Sequence, residues 1–165
     1  MPTFRWTNES VVELEANSSV HPIHGEIRDL RGETVVDVQD GKIQLETAKG
    51  GFIEADVETL KSGNKLEDME LRRRLEVKKY PTMRYEVRSA EGGPENFKVT
   101  GALTFHGVTR EVVEEVTAQP DGDAIVISGE HTFDIRDFDV KPPKILKLQV
   151  YPEVKIKVRL VGRPA

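Results

Sequence analysis

The sequence predicts a mainly β fold, an eight-stranded antiparallel barrel carrying one α-helix. Three observations predict it. Apolar and polar residues alternate at period 2 along most of the 165 residues, the pattern of strands with one dry and one wet face. Gly, Asn and Asp punctuate the alternating runs at short intervals, as in a meander of hairpins. One stretch, residues 65–78, abandons period 2 for helical spacing. Eight strands of about ten residues with short connections use roughly 130 residues, which leaves room for one helix and a few longer loops in a single domain, 1–165. Long alternating strands close into barrels to remove exposed edges. Eight strands enclose an interior that side chains fill or that holds one small ligand.

In chain order, Ile53, Ala55 and Val57 alternate with Glu54 and Asp56. Residues 65–78, KLEDMELRRRLEVK, place Leu66, Met69, Leu71, Leu75 and Val77 among strong helix formers. This predicts a helix of roughly three turns, capped by Ser62 or Asn64. Met83, Tyr85 and Val87 follow Pro81. Phe97, Val99, Gly101, Leu103 and Phe105 share one parity and run into a turn at His106–Gly107, where Gly107 is expected to take a positive φ. Ile125, Ile127, Gly129, His131, Phe133 and Ile135 share another parity, and DFDVKPP, 137–143, predicts a second short turn. From Leu146 to Leu160 every even position is apolar or proline. Pro152 has no N–H to give a ladder, so a break or bulge is expected there.

Composition excludes several classes of function. There is no cysteine, which removes disulfides, thiolate metal sites and cysteine nucleophiles. Twenty-four basic against 29 acidic residues give a net charge of −5, too acidic for general nucleic-acid binding. Charged residues make up 32% of the chain, which favours solubility. The opening MPTFRWTNES has no secretory pattern, no apolar run approaches the roughly 20 residues of a membrane span, and the closing VGRPA carries no lipidation signal. The expected location is cytoplasmic, or periplasmic or secreted if a leader precedes this numbering.

Three segments together resemble the YceI-like family. Ser62–Tyr85 is similar to its short helix leading into a Tyr-Pro-Thr strand, here Tyr80–Pro81–Thr82–Met83–Arg84–Tyr85. Val99–Val112, VTGALTFHGVTREV, is similar to its V-x-G-x-L-T-apolar-x-G-V-T-basic-x-V hairpin almost position for position. Asp137–Phe138 and the closing strand Val154–Leu160 are similar to its end. The N-terminal third departs, with Ser18–Gly25 compressed, and Glu70–Leu71 stands where the family commonly has His-Leu. The resemblance implies a lipocalin-like barrel with the helix at its mouth. It also implies a polyisoprenoid, isoprenoid quinone or other lipid bound inside, and a role in stress response.

The residues themselves offer few rivals. His21-x-x-His24 is the one close histidine pair, but i and i+3 in a strand point to opposite faces, so surface histidines are expected rather than a metal site. His106 reads as a solvated turn residue and His131 as an inward polar group. Arg72, Arg73, Arg74, Lys78 and Lys79 form a basic cluster that could meet anionic headgroups, though interleaved Glu67, Asp68, Glu70 and Glu76 favour a solvated face. No nucleophile elbow, phosphate loop, dinucleotide fingerprint or zinc-protease motif occurs. No carboxylate is read as sitting in an apolar row.

The inward parity set supplies the expected ligand contacts. It comprises Ile53, Val57, Met83, Tyr85, Val99, Leu103, Phe105, Ile125, Ile127, His131, Phe133, Val150, Val154 and Ile156, with Leu66 and Met69 from the helix. Gly101 and Gly129 interrupt inward rows and are expected to leave the lumen underfilled. The leading expectation is a non-enzymatic carrier or sequestering protein for a long apolar molecule, with no other cofactor and no metal. Polar specificity would come from Tyr85 or His131, and the helix and the 137–145 loop would gate the tunnel. Membrane contact would be peripheral at most, and a homodimer is plausible. Two other readings stay open: an enzyme such as a hydrolase or isomerase in the same lumen, which requires a His–carboxylate pair inside it, and a solid barrel acting as a scaffold.

Overall fold

The computed structural model describes residues 1–142, 144, 145 and 148–165. Pro143 of the predicted turn, and Leu146 and Lys147 of the predicted last strand, lie outside the described residues. The strands are β1 (Thr3–Trp6), β2 (Val11–Ser18), β3 (Ile23–Ile27), β4 (Leu30–Gln39), β5 (Lys42–Asp56), β6 (Thr82–Gly92), β7 (Asn96–Phe105), β8 (Val108–Asp121), β9 (Ala124–Asp134), β10 (Lys144–Ile145) and β11 (Leu148–Pro164).

β1 pairs with both β4 and β11, so β1-β4-β5-β6-β7-β8-β9-β11 closes as a ring of eight antiparallel strands. β2 and β3 prolong two of those staves: β2 continues along β11 beyond β1, and β3 pairs with β2. The first break is stabilised by Ser10, which is fully buried. Its Oγ accepts from the Val161 N–H at 2.9 Å and donates to the Val161 carbonyl at 3.3 Å. A side chain thereby replaces the missing ladder partner, as a buried backbone group requires. Against β2, β11 shifts register between Val150 and Val154, where Pro152 cannot donate.

The two ends of the ring differ. At one end Phe4, Val36, Ile43, Leu45, Phe97, Val99, Ala118 and Ile125 pack as a solid core. At the other, Ile27, Leu30, Ala55 and Leu160, with Ile23 and Val150 beyond them, surround a void. The glycines expected to leave space do not make it. At Gly101 the Tyr85 ring and hydroxyl occupy the place of a side chain, and at Gly129 Val116 Cγ1 stands 2.9 Å from where a Cβ would be. Each missing side chain is the seat of a neighbour's.

The helix α1 spans Lys65–Arg74 and ends earlier than the 65–78 expected. The Asn64 side chain caps it by accepting from the Leu66 and Glu67 N–H groups. Ser62 instead donates from both its N–H and its hydroxyl to Asp68 Oδ1, at 2.8 and 2.6 Å. Asp68 is buried by this pairing, and that sets the helix rotation. The inner face runs Asp68, Leu71, Arg72, Leu75, at spacings of three, one and three. Leu66 and Met69 therefore turn outward and are 60% and 63% exposed, contrary to their expected place in the lining. The apolar spacing misled because two polar residues hold the inner face. The second turn forms at Ile135–Phe138, two residues ahead of the 137–143 expected, because Asp134 caps it by accepting from the Arg136 N–H.

Candidate functional site

The void is a cavity of about 260 Å3 in the half of the barrel nearest α1. Ten of the expected contacts line it: Ile53, Val57, Met83, Tyr85, Leu103, Phe105, Phe133, Val150, Val154 and Ile156. Four do not. Val99 and Ile127 border only a smaller void of about 70 Å3 toward the solid end. Ile125 lies within the solid core, 1% exposed, and lines neither space. His131 holds an inward position opposite Ile156, with its ring 4.4 Å from that of Phe133, but it stands outside the lining. Burial pushes its imidazole below the ordinary histidine range. Inward parity is common to both ends of a strand, so it cannot say which end is hollow.

The mouth is built by three elements that one histidine ties together. His106, expected to be solvated, is 8% exposed. His106 and Gly107 both take positive φ, 53° and 76°, and the turn aims the imidazole inward. Nδ1 lies 3.1 Å from the Phe138 carbonyl and Nε2 2.7 Å from Glu76 Oε2. The β7–β8 turn, the segment after α1 and the 3-10 turn are thereby joined. Beneath this clamp Phe105, Phe138 and Phe133 stack edge-on, with centroids 5.9 and 6.0 Å apart. Leu71 of α1 and Leu75, its C-cap, also line the cavity. Among the described residues no cluster of three or more His, Cys, Asp or Glu gathers for a metal. The His21 ring instead lies on the Pro22 carbonyl, and His24 lies 3.9 Å from Glu15.

The lining also takes in residues outside the expected set, Val12, Leu14, Ala16, Ile23, Ile27 and Leu30 from β2, β3 and β4 among them, and one carboxylate that the sequence reading missed. Glu114 points into the apolar cavity from the inward row Val112-x-Glu114-x-Val116-x-Ala118 of β8, opposite Val99 on β7. Burial pushes its carboxyl above the ordinary glutamate range. Tyr85 leans over Gly101 toward the same strand, and its hydroxyl is buried without a hydrogen-bond partner. Burial, and then the neighbouring Glu114 charge, push that hydroxyl above the ordinary tyrosine range. The alternation of β8 was sufficient to find Glu114, had its even positions been read inward like those of β11.

β8 and β9 hydrogen-bond only between Val116/Gly129 and Asp121/Ala124. The first half of β8 and the end of β9 thus form a seam beside Glu114.

A closed eight-stranded barrel, solid at one end and hollow and apolar beneath a helix at the other, is a barrel of the small-molecule-binding type. The model of the YceI-like domain matches residues 6–162, and the chain belongs to the YceI-like family. Comparison with curated proteins finds no match. The fold is similar to that of Burkholderia cenocepacia BcnA, with a TM-score of 0.79 and 21% identity over 94% of this chain and 98% of the other. A polyisoprenoid binding domain from Saccharophagus degradans, implicated in plant cell wall breakdown, gives a TM-score of 0.75 at 12% identity, covering 100% and 99%. A Campylobacter jejuni YceI protein gives 0.67 at 19%, covering 86% and 85%.

Proposed function

We propose that this protein binds a long apolar molecule of the isoprenoid or lipid class in the hollow half of its barrel, as a carrier or sequestering protein rather than an enzyme. The observation that carries this reading is the cavity of about 260 Å3 walled almost wholly by aliphatic and aromatic side chains. An unfilled cavity costs about 24 cal/mol per Å3, or roughly 6 kcal/mol here. That is comparable to the whole net stability of many domains. A bound chain offsets it by about 0.8 kcal/mol per buried CH2. The Saccharophagus degradans relative is a polyisoprenoid binding domain, which supports the ligand class. No hydrogen-bonded His–carboxylate pair stands inside the lumen among the described residues; His106–Glu76 lies at the mouth, and Glu114 has no hydrogen bond to His131. Binding is therefore favoured over chemistry.

The outward face of α1 suits loading from a membrane. Leu66 and Met69 are exposed beside Lys65 and Arg73, an apolar pair flanked by cations that fits an anionic lipid surface. Organic extraction and mass spectrometry of purified protein should recover a prenyl or acyl lipid. Clean extracts from repeated preparations, together with no binding of a fluorescent prenyl probe, would refute the carrier reading.

A further inference from the structure

We infer that Glu114 and Tyr85 form a hydrogen-bonding subsite within the cavity that takes the uncharged polar end of an apolar ligand, a hydroxyl, carbonyl or amide, in preference to a phosphate. The inference rests on the carrier reading and deepens it.

The geometry carries it. Almost every wall of the cavity is hydrocarbon, yet Glu114 points into it from the middle of an apolar row. Neither of the two neighbouring groups is satisfied internally: the Tyr85 hydroxyl is buried without a partner, and among the described residues no hydrogen bond or ion pair reaches the Glu114 carboxyl. Other carboxylates of the barrel are paired at the surface, as Glu54 is with Arg31 and Arg84 at 3.0 and 2.8 Å. Buried polar groups left unpaired are rare and call for an explanation. A ligand group that pairs with both supplies one.

The chemistry also selects among ligands. Burial favours the protonated carboxyl, which donates one hydrogen bond and accepts another. The tyrosine hydroxyl does the same. A neutral hydroxyl, carbonyl or amide can meet both. A phosphate would bring its charge out of water into a hydrocarbon cavity that turns no cation toward it, and burying an unpaired charge is costly. The nearest arginine in the lining, Arg84, turns its guanidinium outward to Glu54, Glu86 and the Phe52 ring. Glu114 stands two residues before Val116, where the β8–β9 pairing ends, and lines the cavity there.

The test compares three probes of one chain on the delipidated protein: farnesol, the hydrocarbon farnesane, and farnesyl phosphate. Farnesol should bind about ten-fold more tightly than farnesane, the worth of one well-made hydrogen bond, and more tightly than farnesyl phosphate. Glu114→Leu and Tyr85→Phe should each shrink the farnesol advantage while farnesane still binds. Glu114→Gln, which keeps a donor and an acceptor in place, should retain an advantage that Glu114→Leu loses. Equal binding of farnesol and farnesane to the native protein would overturn the subsite and leave the carrier reading standing. Tighter binding of the phosphate would overturn it too. Failure of all three probes to bind would overturn the carrier reading itself. The native comparison needs no variant, so a poorly folding substitution leaves the test intact.

Discussion

The two halves of this barrel are made from the same strands with the same alternation, yet one is solid and the other hollow. β7 shows the contrast within ten residues: Phe97 and Val99 are buried in the solid core, while Leu103 and Phe105 wall the cavity. What differs is what crosses the axis. At the solid end large side chains such as Phe4, Ile43 and Phe97 meet across it. At the hollow end Ala55 of β5, and Ala16, Val154 and Val158 of the paired β2 and β11, are short side chains that line the cavity and leave space open between them. Stability is concentrated in one half and capacity in the other.

The largest effect should come from emptying the solid half. Phe97→Ala removes a ring that is 3% exposed and should cost about 3–5 kcal/mol by denaturant titration. Phe133→Ala, at the rim of an existing cavity, should cost clearly less, since its neighbours already lack contacts on one side. Equal losses would mean that the halves are packed alike.

Filling sharpens the comparison because its sign should reverse. Ala118→Leu in the solid core should destabilise by about 1–3 kcal/mol through overpacking. Val158→Leu adds one methylene to the lumen and should stabilise the delipidated protein by up to about 0.8 kcal/mol, while weakening the binding of a prenyl probe. Calorimetric melting of both variants decides it. Loss of stability in both would show that the hollow half has no spare room.

Much of this contrast lay beyond the reach of the sequence. Eight-fold closure, the strand faces and the Asn64 cap were legible, because each follows from period or local hydrogen bonding. Depth along a strand was not: Val99, Ile125 and Ile127 share parity with the lining but lie toward the wrong end. Gly101 and Gly129 read as gaps because a glycine reports only its own missing side chain, and not the Tyr85 or Val116 that fills the place. His106 read as solvated because the elements that bury it, Glu76 and Phe138, are some 30 residues away in sequence on either side. Glu114 is legible in its row, but Glu111 and Glu115 beside it make it one charge among several.

Glu114 also gives the hollow half its own pH dependence. Its carboxyl is raised in the folded state, so between the ordinary glutamate value and its raised value the folded protein holds a proton that the unfolded chain has lost. Stability from this group is fully present at acid pH and is lost as pH rises through the raised value. Glu54, Glu86 and Asp134, held low by arginines on the outer surface, act in the opposite sense as pH falls, and they are common to native protein and variant. The Tm of Glu114→Gln minus that of the native protein should therefore grow as pH rises from the acid side and then level. A flat difference would place Glu114 in water rather than in the cavity.

The smallest effect concerns the roof of the hollow half. Leu66 and Met69 face solvent while Leu71 faces the cavity, although all three are apolar residues of one helix. Leu66→Ser and Met69→Ser should change stability by no more than about 0.5 kcal/mol and leave prenyl-probe binding intact. Leu71→Ala should cost about 2 kcal/mol or more and loosen the probe. Each serine variant should float less with anionic vesicles than the native protein does, and the double variant, which loses both apolar side chains, least of all. If either serine variant instead lost more than about 1 kcal/mol, α1 would have to be rotated by roughly half a turn. The rotation seen here is held by the buried Asp68 that accepts from Ser62, so Asp68→Ala should then leave stability nearly unchanged, whereas a roof seated by that pair loses about 1–3 kcal/mol when the acceptor is removed.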